Sequence, residues 1–184
     1  EYQTMSIPTG ISVPGAELVL RARELAPDPA TRIIVNCAGR TRSIIGTQSL
    51  INAGLPNPVA ALRNGTIGWT LAGQTLAHGQ ARRFAPTSEN HRQLAAQKAR
   101  GVADKAGVKR ATLNDLQRWQ QDATRTTYLF DVRTVEEFEA GHLPGARATP
   151  GGQLVQETDH VASVRGARLV LVADDGVRAN MSAS

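Results

Sequence analysis

One cysteine, Cys37, stands in a chain of 184 residues, so no internal disulfide is available to hold it together. That excludes the small cysteine-stapled scaffolds and fits a reducing compartment, so a cytoplasmic protein is expected. Aromatic residues are scarce at 4%, which leaves Leu, Ile, Val and Ala to build the core. The same scarcity argues against nucleic acid as a partner, because no stretch interleaves basic and aromatic residues as a base-stacking surface would. No apolar run approaches the roughly 20 residues that cross a bilayer, and no charged-then-apolar segment opens the chain, so no membrane partner is expected. Acidic residues are also in deficit: 16 Asp and Glu face 21 Lys and Arg, for a formal charge of +5. The basic residues are scattered, and their modest excess suits small anions better than a polyanion. With 41% hydrophobic and 20% charged residues, the composition is that of an ordinary globular protein.

Three short apolar runs, Thr31 to Asn36, Thr127 to Val132 and Ala167 to Val172, read as buried parallel strands. Val59 to Leu62 completes the expected set, with core segments at Ile33–Asn36, Val59–Leu62, Leu129–Val132 and Leu169–Val172. Between them, Leu18, Val19, Ala22, Leu25 and Ala26 recur at helical spacing after Pro14-Gly15. A second helix is expected from near Ser43 to Gly54, where Gly followed by Pro56 is a good stop. Thr112 with Asp115 and Thr134 with Glu137 carry the capping-box pattern of two further helix starts. Alternating strand and helix predicts an α/β fold with a parallel central sheet flanked by helices. Pro86 to Lys109, polar and rich in Ala, Gln, Lys and Arg, reads as a helical connector.

Sliding the chain along itself by 136 residues reveals an internal repeat. Nine of 48 pairs are identical without a gap, among them Glu1 on Glu137, Pro14-Gly15 on Pro150-Gly151, Arg32 on Arg168 and Arg42 on Arg178. They fall on turns, a helix start and the residues flanking a buried strand. Two units are therefore expected, 1–84 and 111–184, joined by 85–110. The first unit lacks the front of the repeat and the second lacks its back, so the chain is expected to be a piece of a longer tandem array.

Cys37 follows a buried strand and precedes Ala38-Gly39-Arg40-Thr41-Arg42, after which Ser43 opens a helix. Strand, tight loop and helix start together make an anion cradle, since backbone N–H groups converge and the helix dipole adds positive potential. A lone cysteine at a strand end is more often inert packing. Two arginines and a glycine beside it tip the balance toward a thiolate nucleophile whose substrate is an anion. Asp131, Arg133 and His142, at a strand end and a turn, are expected to make structural contacts, and Trp69 to pack.

The segment Cys37-Ala38-Gly39-Arg40-Thr41-Arg42-Ser43 resembles the active-site loop of rhodanese-like sulfurtransferases. Asp131-Val132-Arg133, Glu136-Glu137-Phe138 and Gly141-His142-Leu143-Pro144-Gly145-Ala146 resemble a second, independent hallmark of that family, and Asn64-Gly65-Thr66-Ile67-Gly68-Trp69 looks like the segment after its last strand. The resemblance implies a rhodanese-like α/β fold. It also implies an enzyme in which Cys37 takes a sulfane sulfur from an anionic donor such as thiosulfate and passes it to cyanide or a thiol. On that reading Cys37 and Arg42 are catalytic, and Ala38, Gly39, Arg40, Thr41 and Ser43 bind the substrate. No metal or organic cofactor is implied.

A tyrosine-phosphatase cradle is similar but places five residues between Cys and Arg, whereas Cys37 and Arg42 have four between them, so phosphatase or arsenate-reductase-like activity is the more distant alternative. In the second unit the position of Cys37 is Ala173, followed by Asp174-Asp175-Gly176-Val177-Arg178, and neither alanine nor aspartate can carry a persulfide. A non-enzymatic scaffold or regulatory module is therefore the alternative reading. The missing front of the first unit leads to a further expectation. The Asp131 strand should complete the sheet containing Cys37, either within one chain or by exchange in a swapped homodimer.

Overall fold

The computed structural model describes residues 1–184. It divides into two units, Glu1–Ala95 and Ala96–Ser184.

In the first unit, a 3-10 turn over Gly15–Glu17 leads into α1 (Leu18–Leu25), which buries Val19, Leu20 and Ala22. Parallel strands β1 (Ile33–Val35) and β2 (Val59–Ala61) pair with Ile33 opposite Val59 and Val35 opposite Ala61. They are connected by α2 (Thr41–Asn52), whose inner face holds Ser43, Gly46 and the fully buried Leu50. The expected stop at Gly54 has a clear cause. Gly54 adopts φ +67°, its N–H donates to Ile51 O, and Leu55 N–H donates to Leu50 O at 3.1 Å, so a left-handed residue closes the last turn. Next comes α3 (Gly65–Leu71), and α4 (Glu89–Lys105) occupies most of the stretch read as a connector.

The second unit contains α5 (Leu113–Gln121), β3 (Thr127–Asp131), α6 (Val135–Ala140), β4 (Arg147–Ala148), α7 (Gly151–Gln156), α8 (Thr158–Val161), β5 (Arg168–Val172) and α9 (Arg178–Ser182). Its sheet is parallel in the order β4-β3-β5. The central β3 buries Leu129, Phe130 and Asp131, and Phe130, Val132 and Leu154 form a core against which Tyr128, Leu171 and Ala173 pack. Both capping boxes are formed: Thr112 and Thr134 each accept from the N–H three residues on, and the Asp115 and Glu137 carboxylates return to the cap N–H groups. Thr112→Ala should accordingly lower the stability of this unit by about 1 kcal/mol, read as a shift in the urea midpoint.

The sheets correct one expectation. β3 does not join β1 and β2, because its two edges are occupied by β4 and β5 of its own unit. A strand has only two hydrogen-bonding edges, so here β3 completes no sheet around Cys37. The strand that was not anticipated, β4, is two exposed residues without an apolar run, and it is held in place by Thr149 N–H donating to Asp131 O at 2.9 Å.

Candidate functional site

β1 carries the chain to Cys37, which is half-buried in the turn between Val35 and α2. The turn is bracketed by the start of α3, where Thr66 N–H donates to Cys37 O at 3.0 Å and Ile67 N–H donates to Ala38 O at 3.1 Å. That approach depends on two successive left-handed residues, Asn64 at φ +58° and Gly65 at φ +53°. Asparagine tolerates this conformation, whereas glycine at 65 is obligatory. A Cβ there would collide with the Cys37 carbonyl and lie 2.9 Å from the Ala38 carbonyl carbon. On the other side of the turn, a Cβ placed at Gly39 would meet nothing within 4 Å, so the loop faces open space where a ligand would approach.

Of the residues expected to form the site, the structure gathers Cys37, Ala38, Gly39, Arg40, Thr41, Arg42 and Ser43 into one loop and first helical turn. The Cys37 Sγ lies 3.7 Å from Ser43 Oγ. The Ser43 hydroxyl is buried and donates to Arg40 O at 2.8 Å, which ties the sulfur to the far end of its own loop. Arg40 is exposed and makes no ion pair. Arg42 is differently placed: Nη1 and Nη2 donate to the two Glu1 carboxylate oxygens at 2.6 and 2.8 Å. Arg42 holds the Glu1 carboxyl below its ordinary range, against an opposing push from burial, with the Ala38 backbone adding to the lowering.

The second unit repeats this pair at the matching positions. Arg178 donates from Nη1 and Nη2 to the Glu137 carboxylate at 2.6 and 3.0 Å. Around it, however, the loop is filled. The Asp175 carboxylate accepts from Val177 N–H at 2.6 Å and Arg178 N–H at 2.9 Å and pairs with Arg178 Nε, while Asp174 accepts from Arg178 Nη2 at 2.9 Å. Ala173, where the first unit has its cysteine, packs against the apolar core. Arg133 is bound to Asp131 and donates to Gly141 O at 2.6 Å. His142 stacks on Phe138 and contacts its carbonyl at 2.9 Å, and Trp69 Nε1–H donates to Thr75 O at 3.0 Å.

Burial pushes the Glu137 carboxyl up, but Arg178 and the Thr134 N–H outweigh it and hold the group at about 2, against 4.5 unpaired. A folded value below the unfolded one means that this carboxylate stabilises fully above about pH 4.5 and loses its contribution as pH falls toward about 2. Wild type should therefore exceed Glu137→Gln in urea midpoint at neutral pH, and the gap should close across that window.

Two features of this site have no local signal in the sequence. Glu1 stands out in the sequence only as a repeat identity, yet Glu1/Glu137 and Arg42/Arg178 are both among the repeated pairs, and two residues repeated together are the trace of a contact between them. Gly65 and Thr66 lie in the segment after the last strand of the repeat, but what they do depends on a fold-back that spacing does not encode.

No three His, Cys, Asp or Glu side chains converge to hold a metal ion, and no helix is long and apolar enough to cross a membrane. No curated protein matches the chain. The rhodanese-like domain family matches residues 112–184. A crystal structure of a thiosulfate sulfurtransferase from Pseudomonas aeruginosa aligns with all of the chain at 79% identity and a TM-score of 0.98, and the chain spans 35% of that protein. With its parallel strands, flanking helices and repeated strand-to-helix loops, the chain has the rhodanese-like fold, matches the rhodanese-like domain family over residues 112–184, and is homologous to a thiosulfate sulfurtransferase of which it spans about a third.

Proposed function

We propose that this chain transfers sulfur through a persulfide on Cys37. The observation that carries the reading is the placement of the only thiol in an open strand-to-helix loop, beside an unpaired Arg40 and within 3.7 Å of a buried hydroxyl. Thiosulfate is the fitting donor class. The Cys37 thiolate attacks the outer sulfur, the S–S bond of the donor breaks, and sulfite leaves with the electron pair, so that a Cys37 persulfide carries one negative charge. Cyanide or a thiolate then attacks the terminal sulfur and restores the Cys37 thiolate, with thiocyanate or a new persulfide as product. Arg40 and the loop N–H groups of residues 38–43 receive the donor's sulfonate and stabilise charge on the moving sulfur. No step calls for a metal or organic cofactor.

Incubation with thiosulfate and cyanide should release thiocyanate, and Cys37→Ser should release none. Phosphate release from an aryl phosphate would instead support the phosphatase reading. Ser43→Ala removes both the hydroxyl beside the sulfur and the donor to Arg40 O, and should slow sulfur uptake on the order of tenfold. A second reading, a non-enzymatic binding module, draws on the second unit, where Ala173 replaces the thiol and Asp175 fills the loop. It would be favoured if the folded chain took up no sulfur. The repeat units 1–84 and 111–184 are proposed as the functional modules, with the chemistry confined to the first.

A further inference from the structure

We propose that Glu1 is a specificity-determining residue that masks the charge of Arg42, so that Arg40 is the side-chain cation the Cys37 loop leaves unpaired for the donor. This deepens the sulfur-transfer reading and rests on it. Three observations lead to it. Both Nη groups of Arg42 are engaged by the Glu1 carboxylate at 2.6 and 2.8 Å, in the fork-to-carboxylate geometry that fixes a guanidinium in direction as well as place. The same pair recurs as Glu137 with Arg178 in the unit whose loop holds alanine in place of cysteine. A contact kept where there is no nucleophile belongs to the architecture of the loop, not to recognition of a donor. Arg40, in contrast, is exposed without an ion pair, and Gly39 beside it borders open space.

The pair is half-exposed, at 43% for Arg42 and 46% for Glu1, so it adds little to stability, within about 1 kcal/mol. Its consequence is electrostatic. A carboxylate bound to Arg42 cancels that charge for any anion arriving at the loop, and an anion is drawn to the guanidinium left over. Donors should be selected by how well Arg40 and the loop N–H groups hold their anionic end.

The test uses the whole chain and sulfate, an anion with no sulfane sulfur to give. Alkylation of Cys37 by iodoacetamide is followed by intact mass as sulfate is titrated, and the half-protecting concentration is read. Arg40→Gln should raise it roughly tenfold, the loss of one charge-assisted contact. Glu1→Gln should lower it and steepen its dependence on ionic strength, because Arg42 is unmasked. Adding Arg42→Gln to Glu1→Gln should abolish that gain and bring the half-protecting concentration back toward wild type, since the gain belongs to Arg42. A rise in Glu1→Gln would show that Glu1 aims Arg42 at the anion, and would overturn the proposal. So would a gain in Glu1→Gln that persists when Arg42→Gln is added, or no protection in wild type. Since sulfate transfers nothing, failure of sulfur uptake from thiosulfate would count against the sulfur-transfer reading and leave this ordering to be judged by itself.

Discussion

Arg178→Met is expected to cost the second unit about 3–5 kcal/mol. The guanidinium is 2% exposed and holds three carboxylates, those of Glu137, Asp174 and Asp175, together with the turn that precedes α9. Methionine restores much of the volume but none of the charge. Asp175, itself 6% exposed, would keep its bonds from Val177 and Arg178 N–H while losing the cation that offsets its burial. Urea unfolding would show the loss as a lowered midpoint. Adding Asp175→Gly, the residue that the first unit carries at this position as Gly39, should recover part of it, because the stranded charge goes with its partner. A midpoint unchanged in Arg178→Met would mean that the network is not closed as described.

Gly65→Ala should be the most damaging change at the cysteine loop that leaves every loop residue in place. A side chain at φ +53° costs about 1–2 kcal/mol, and collision with the Cys37 carbonyl adds an overpacking cost of similar size. Relief can come only by moving α3 away from the loop, which lengthens the bonds from Thr66 N–H to Cys37 O and from Ile67 N–H to Ala38 O. The first unit should lose about 2–4 kcal/mol, and sulfur uptake from thiosulfate should fall more steeply than stability, since the loop N–H groups lose their aim. Full uptake in a folded Gly65→Ala protein would remove α3 from the account of the site.

How much of this was legible in advance follows from how local each signal is. The Gly54 stop and the capping boxes at Thr112 and Thr134 are written in residues three or four apart, and they stand where the sequence places them. The strands around Ile33, Val59, Leu129 and Leu169 are short apolar runs between turns, legible for the same reason. β4 was not legible, because two exposed residues beside a buried strand carry no hydrophobic period. Nor was the arrangement of the sheets, since a parallel run does not name its neighbours, and the idea that β3 would complete the Cys37 sheet gave way to its pairing with β4 and β5. At the site, the loop itself is contiguous and could be read whole. Its supports come from far along the chain: Glu1 lies 41 residues before Arg42, and Gly65 lies opposite Cys37 only because β2 returns beside β1.

Whether Cys37 carries the sulfur is tested most directly by intact mass after incubation with thiosulfate. The wild-type chain should gain the mass of one sulfur atom, lose it on addition of cyanide, and show neither change as Cys37→Ser. An unaltered mass in the folded wild-type chain, or an equal gain in Cys37→Ser, would show that it does not.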